Sequence, residues 1–314
     1  MTEIVTLTIN PALDVSTSVK KLAPFTKMRC APAHRDPGGG GINVARVLKR
    51  LGIDAIAIYP AGGATGRVLT DLVEREGVRS IVIPASNDTR EDLTIFDETT
   101  REQFRLVFPG APLGDLEWRA CLESLARIKP PPAFVIASGS LPAGVPPDFY
   151  GGVVRASNAH SKVIVDTAGP FLMAALEAGV YLIKPNLREF QELAGIASSD
   201  EAALVDAGRR LLDRFPIEVI ALSMGQDGAI LVARDMALRA NGLPIAPISV
   251  SGAGDSFLGA MVWALVNGNN LEVALRYGVA GGSAALLNPG TELCRPEDIH
   301  RLASQIIITP IDRR

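Results

Sequence analysis

The segment Ser251-Gly-Ala-Gly-Asp-Ser-Phe-Leu-Gly-Ala-Met261 sets two glycines and an alanine directly before an acid. A helical apolar pattern follows at Phe257, Leu258, Met261, Ala264 and Leu265. Such a loop turns backbone N–H groups toward one point at a helix N-terminus, where free amides and the helix dipole favour an anion. Glycine lets the backbone approach that anion closely, and Asp255 falls in the first turn beside it. A carboxylate next to a hole for negative charge suits a group that takes a proton from something attacking a phosphate. An N-capped helix after a flexible turn would read the same way in isolation; the rest of the chain favours the catalytic reading.

A second glycine cluster, Pro37-Gly-Gly-Gly-Gly-Ile-Asn-Val-Ala-Arg-Val-Leu-Lys-Arg-Leu-Gly52, again opens a helix. Its third dinucleotide-fingerprint glycine is missing and it does not follow the first strand, which argues against a nicotinamide dehydrogenase. There is no G-x-x-x-x-G-K-[ST] run either. Asn43 donates and accepts hydrogen bonds, and with Asp14 it forms a pair suited to a polyol. In Lys184-Pro-Asn-Leu-Arg-Glu189, Asn186 and Glu189 lie three apart at a helix start. They either order water around Mg²⁺ or form a capping-box variant. Ser223-Met-Gly-Gln-Asp-Gly-Ala229 is a glycine turn or a rest for a nucleotide phosphate or ribose. The small-residue run Tyr277–Ala285 suits close helix packing or a shallow groove for a purine. Lys27, Arg29, Arg90 and Arg105 are either solvated or converge over the glycines as a site for a substrate phosphate. The three histidines, His34, His160 and His300, form no cluster, which disfavours a His nucleophile or a zinc site.

The chain has 314 residues, 47% hydrophobic and 21% charged, which excludes disorder and allows a large core. Its 31 basic and 34 acidic residues give a net charge of −3 and no basic stripe, so an anionic ligand needs a local site. Cys30, Cys121 and Cys294 fit no zinc spacing or disulfide framework. The first residues read as a strand rather than a signal peptide, and no apolar stretch reaches a membrane span. A soluble cytoplasmic protein is the expectation.

Short apolar runs alternate with amphipathic stretches. Strands are expected at Ile4–Ile9, Ala55–Tyr59, Ser80–Ile83, Phe134–Ala137, Val163–Val165, Tyr181–Ile183 and Val219–Leu222. Helices are expected at Ile42–Leu51, Gly66–Glu76, Leu116–Ile128, Asp148–Ala159, Pro170–Ala178, Leu187–Leu193, Glu201–Phe215, Asp255–Val266 and Leu271–Leu287. The alternation predicts an α/β fold with a mostly parallel sheet, partly antiparallel near 228–240. Residues 12–34 and 89–108 break the rhythm with alternating strands. Together they predict a small β-lid over the C-terminal edge of a core made of 1–11, 35–88 and 109–314.

In that order the motifs resemble the ribokinase-like carbohydrate kinases, and within them the phosphofructokinase B group. The matching features are Thr6–Asp14, Pro37–Leu51, Pro60–Gly66, Ser138–Pro142, Lys184–Glu189, Gly252–Asp255 and Leu287-Asn-Pro-Gly-Thr291, spread over nearly the whole chain. The resemblance implies ATP-dependent phosphorylation of fructose 6-phosphate at O1, with fructose 1-phosphate or tagatose 6-phosphate as alternative acceptors. It makes Asp255 the base and the Gly252, Ala253 and Gly254 amides the anion hole. Asn186 and Glu189 organise Mg²⁺. Asp14, Gly39, Gly40, Asn43 and Ser138 face the sugar, and Lys27, Arg29, Arg90 and Arg105 its phosphate. Lys184, Asn186, Ser223, Gly225, Gly228 and Ser283 border ATP. Carbonyls of Ser249, Ser251, Ala285, Asn288 and Gly290 form a site for a monovalent cation such as K⁺, with Ser251 standing where relatives often carry Thr, Val or Ala. The lid is implied to pair across a homodimer. A non-catalytic nucleotide or sugar sensor on the same fold is the rival reading, and the acid after Gly-Ala-Gly, which a sensor would not need, speaks against it.

Overall fold

The computed structural model describes residues 4–312. In chain order the first half runs β1 (Ile4–Leu7), β2 (Ala12–Val19), β3 (His34–Gly38), α1 (Gly40–Arg50), β4 (Ile56–Ala61), α2 (Gly63–Arg75), β5 (Arg79–Pro84), β6 (Arg90–Asp97), β7 (Gln103–Val107) and α3 (Asp115–Arg127). Then come β8 (Phe134–Ser138), α4 (Phe149–Ala156), β9 (Lys162–Asp166), α5 (Gly169–Ala178), β10 (Val180–Ile183), α6 (Leu187–Ala194), α7 (Glu201–Arg214) and β11 (Ile217–Ser223). The chain closes with β12 (Ala229–Ala233), β13 (Met236–Ala240), α8 (Ala253–Val266), α9 (Leu271–Ala285), α10 (Pro296–Ala303) and β14 (Ile308–Pro310).

Ten strands form the main sheet in the order β14-β13-β12-β11-β10-β9-β8-β1-β4-β5. From β5 to β11 every pairing is parallel, and β12, β13 and β14 add antiparallel neighbours at one end. The continuous apolar strands follow from burial on both faces. Phe134 and Ile136 of β8 join a layer with α1, α2, α8, α9 and α10, while Val135 and Ala137 join a layer with α3 to α7. Among the described residues no helix is long and apolar enough to cross a membrane.

A second sheet of four strands has the order β3-β2-β6-β7. Its middle pair is parallel, with Asp14 opposite Asp92, and its outer pairs are antiparallel. β3 carries this sheet beyond residue 34 to Gly38, so the second glycine cluster begins inside it. Alternation along these strands puts Asp14, Asp36, Asp92, Thr94 and Arg105 on one face and Val15, Leu93, Ile95, Phe104 and Leu106 on the other.

Candidate active site

The parallel strands deliver polar groups to one edge of the main sheet. Ser138 ends β8, Asp166 ends β9, Lys184 follows β10 and Ser223 ends β11. This carboxyl edge is where open α/β sheets hold ligands. Two glycine-led helices, α1 and α8, point their N-termini at the same edge. At α8 the cap is Gly252, held at φ 73°, and a Cβ there would meet Leu293 Cδ2 at 2.4 Å, so no other residue fits without a shift. The first N–H groups of α8 have no partner within the helix. At α1 a Cβ on Gly40 would lie 2.0 Å from Ser138 Oγ, which shows how tightly the glycine loop is pressed on β8.

Asp255 stands in the first turn of α8 and its carboxylate accepts from Asn43 Nδ2 at 2.8 Å. The two glycine clusters, far apart in sequence, thus meet through one hydrogen bond. Lys184 Nζ lies 3.3 Å from Asp166 Oδ1, and a Cβ on Gly254 would sit 3.4 Å from the same nitrogen. The ammonium therefore flanks the amides of α8. Burial opposes its charge, yet Asp166, Asp255 and Glu189 outweigh that and hold its pKa above the ordinary lysine value. Burial raises Asp255, opposed by the Asn43 bond and by Lys184, Arg105 and Arg46. Burial also pushes Asp166 up to about 6, with Lys184 opposing. Ser138 Oγ donates to the other Asp166 oxygen at 3.5 Å. Sequence reasoning passed over Asp166. Its signal was position, as the acid that closes an apolar strand at the ligand-binding edge.

Beyond α8 lies a cavity of about 440 Å³. Ser223, Gly225, Gly228, Ala253, Gly254 and Ser283 line its polar side, and Leu243, Ile245, Val250, Phe257, Val279 and Leu286 its apolar walls. Its dimensions and mixed lining suit a nucleoside. The small-residue run of α9 packs against α8 and borders the cavity. A Cβ on Gly281 would meet Ser256 O at 2.5 Å, so α9 packs closely on α8, while Gly282 and Ser283 open into the cavity. Asn186 and Glu189 form the capping box at the start of α6: Glu189 N donates to Asn186 Oδ1 and Asn186 N to Glu189 Oε2, each at 2.9 Å. Asn186 also bridges to Ser223, which ties α6 to the lining of that cavity.

Asp14 of β2 is buried against the glycine loop; a Cβ on Gly38 would touch its carboxylate at 2.6 Å. Burial pushes it up to about 7; Arg105 opposes the rise, and Asp92 and Asp36 reinforce it. Of the four cations expected over the glycines, Arg105 acts on both Asp14 and Asp255. Arg90 donates to Phe108 O at 2.9 Å and Asn10 O at 3.3 Å, which anchors the start of β6 at the sheet edge. Lys27 and Arg29 lie exposed in the loop between β2 and β3, without an ion pair among the described residues. In the remaining expected group, Ser249 Oγ donates to Gly290 O at 2.8 Å, Asn288 N to Ala285 O at 3.1 Å, and the Ser251 hydroxyl is buried without a partner. The 249–251 and 285–290 segments therefore adjoin each other just before α8.

A glycine loop at the end of one sheet, a cavity of nucleoside dimensions, and between them an acid at a helix N-terminus fit a carbohydrate kinase of ribokinase-like fold. The chain belongs to the pfkB family of carbohydrate kinases, whose model matches residues 3–298. It is 42% identical over 299 residues to an ATP-dependent 6-phosphofructokinase isozyme 2 of Mycobacterium tuberculosis, covering 95% of this chain and 88% of that one. To a 1-phosphofructokinase of Xanthomonas campestris it is 32% identical over 310 residues, covering 97% of each. The crystal structure of phosphofructokinase-2 from Escherichia coli in complex with potassium superposes with a TM-score of 0.92 at 37% identity, covering 97% of this chain and 99% of that one. The complex of the same protein with fructose-6-phosphate gives 0.91 at 36%, with the same coverage.

Proposed function

We propose that this chain is a cytoplasmic 6-phosphofructokinase, transferring the γ-phosphoryl group of ATP to O1 of fructose 6-phosphate. One observation carries the reading: Asp255 lies at the N-terminus of α8, hydrogen-bonded to the sugar-side Asn43, with the nucleoside cavity opening at Ala253 and Gly254. Fructose 6-phosphate is favoured as acceptor because identity to the 6-phosphofructokinase relative exceeds that to the 1-phosphofructokinase.

Asp255 takes the proton of the O1 hydroxyl as O1 bonds to the γ-phosphorus and the bond to the ADP oxygen breaks. The Gly252, Ala253 and Gly254 amides, with Lys184, stabilise negative charge on the group in flight; phosphoryl transfer asks mainly for such positioning and electrostatics. Asp14, Asn43, Gly39, Gly40 and Ser138 hold the sugar hydroxyls. Arg105, Arg90, Lys27 and Arg29 bind its phosphate, the last two once the β2–β3 loop folds over. Ser223, Gly225, Gly228 and Ser283 hold the nucleotide. The donor set also fits Mg²⁺: Asp166, Glu189 and Asp255 outnumber the one ammonium they share, and Glu189 and Asn186 would hold the ion through its water shell. When bound, the ion neutralises phosphate charge. The adjoining 249–251 and 285–290 segments, with one unpartnered hydroxyl, fit a K⁺ bound on carbonyls beside the anion hole.

The Asp255→Asn variant is expected to lose roughly 10²- to 10⁴-fold in kcat while binding ATP as before. Retention of more than about a tenth of the wild-type kcat refutes the assignment. A coupled assay with fructose 6-phosphate, fructose 1-phosphate and tagatose 6-phosphate decides the acceptor by kcat/KM.

A further inference from the structure

Arg46 is fully buried in the middle of α1, at 0% exposure, one of the few charged side chains so enclosed. A buried guanidinium is retained only where its charge is paired and its donors are used. Nε donates to Glu76 Oε1 at 2.9 Å, and Nη1 donates both to Pro37 O at 2.8 Å and to Asn43 Oδ1 at 3.1 Å. Asp36 lies 3.6 Å from Nη2. Glu76 also receives Arg50 at 3.2 Å, so its carboxylate is fixed from two sides.

The bond to Asn43 has a chemical consequence. An amide has one accepting and one donating end, and the two are interchangeable by a half-turn of the side chain. With the guanidinium holding Oδ1, the NH₂ end can only face Asp255, which it does at 2.8 Å. A flipped amide would set two acceptors, Oδ1 and the carboxylate, against each other. Nη1 also pins the Pro37 carbonyl at the entry to the glycine loop, so one side chain fixes both the loop and the amide. We infer that Arg46 is a positioning residue for phosphoryl transfer: it holds the Asn43 amide in the one orientation that donates to the catalytic carboxylate, and so sets the direction in which that carboxylate presents its free oxygen to the acceptor hydroxyl. This rests on Asp255 as the base. Glu76 is the counterion that lets the guanidinium stay charged inside the fold.

The test is a double-mutant cycle on kcat, with Arg46→Lys, Asn43→Ala and the double variant, run beside Asp255→Asn. Lysine keeps the charge but cannot serve Glu76, Pro37 O and Asn43 Oδ1 with one fork of donors. Arg46→Lys should lower kcat by about tenfold or more and change KM for ATP by less than about threefold, because the nucleotide cavity is untouched. In the Asn43→Ala background the same change should cost no more than about twofold, since the amide it positions is gone. A residue that served only folding would multiply the two losses, and that additive result overturns the proposal. So does an Arg46→Lys enzyme within about threefold of wild-type kcat. Thermal melts of each variant confirm that a folded protein is assayed, and Arg46→Gln, which keeps donors without charge, replaces Arg46→Lys if the latter does not fold. An active Asp255→Asn takes down the base assignment and this inference together, whereas an inert Asp255→Asn with additive losses overturns the role of Arg46 alone.

Discussion

Asp14 illustrates how a single side chain is poised by its neighbours. It faces Asp36 on one side and Asp92 on the other across the small sheet, is buried against Gly38, and titrates near 7. The unfolded chain would release that proton near the ordinary aspartate value of about 3.9. Between those two values the native state carries a proton that the unfolded state lacks. The stability tied to it is therefore complete below about pH 4 and is lost as pH rises through 7. An amide does not ionise, so Asp14→Asn should melt higher than wild type at pH 8, where the native state must carry the buried charge, and lose most of that advantage at pH 5. Melting curves at the two pH values decide it, and an advantage no larger at pH 8 than at pH 5 would contradict the burial argument. The same variant should bind the sugar phosphate poorly, because its amide offers one accepting oxygen and a donor where the carboxylate offers two accepting oxygens to the hydroxyls. Much of this site was legible residue by residue where chemistry was contiguous: the acid after Gly-Ala-Gly, the glycines before Asn43, the Asn-x-x-Glu pair. What stayed hidden were groups assembled across strands and helices. Asp166 reaches Lys184 only because β9 and β10 are neighbours, and Arg46 is fully buried in a helix whose other basic residues, Lys49 and Arg50, stay nearer the surface.

Elements emerged from the sequence best where period and caps agreed. The apolar strands and the helix bodies lie where periodicity placed them, and the antiparallel end near 228–240 is β12 and β13. Most strand ends run one or two residues further than their apolar runs, as in β11, which continues to Ser223, because ladder bonds do not stop at the last hydrophobic residue. β1 instead stops at Leu7, two residues short of the expected Ile9, as the chain turns toward Asn10-Pro11, and α4 stops at Ala156, short of Ala159. α10 and β14 were not read. α10 announced itself with Pro296 at its first turn, Glu297 and Asp298 behind it and basic residues at its end, but it is only a short tail helix; β14 is a three-residue edge strand without an apolar pattern. The Asn186–Glu189 pair forms the capping box of α6, one of the two alternatives its spacing offers. The cap uses one oxygen of each side chain, which leaves Glu189 Oε1 available to the hydrated cation proposed above. Glu189→Gln should separate the roles. Glutamine still accepts the Asn186 N–H, so the melting temperature should stay near wild type, while the Mg²⁺ concentration for half-maximal activity should rise by roughly tenfold or more. Unchanged Mg²⁺ dependence with normal stability would leave the cap as the pair's whole purpose.

At the scale of the molecule, the four-stranded sheet poses a physical problem that a single chain does not solve. One face carries Asp14, Asp36, Asp92 and Arg105 toward the site, and the other carries Val15, Leu93, Ile95, Phe104 and Leu106. Ile95 pairs across to Phe104 and Leu93 to Leu106, and Phe104 and Leu106 are 42% and 48% exposed. Val19, on the same face by alternation, is already buried within the chain at 4% exposure. A thin sheet with a contiguous apolar face and a free β7 edge invites association, and a symmetric pair of such sheets would close both faces at once. We therefore expect a homodimer built through this lid, with residues 12–38 and 89–108 as its interface and the remainder as the catalytic core. Since the opposite face of the same strands bears the groups proposed to hold the substrate, assembly and catalysis would share a scaffold: loosening the dimer would let β2 and β6 flex and move Asp14 and Arg105 with them. Placing a charge at the centre of the apolar face, Ile95→Asp, should shift sedimentation toward monomer and lower activity in parallel, and raising the protein concentration should recover part of both. Wild-type protein that sediments as a monomer at nanomolar concentration with full specific activity would show that the apolar face is covered by something other than a second copy of the chain.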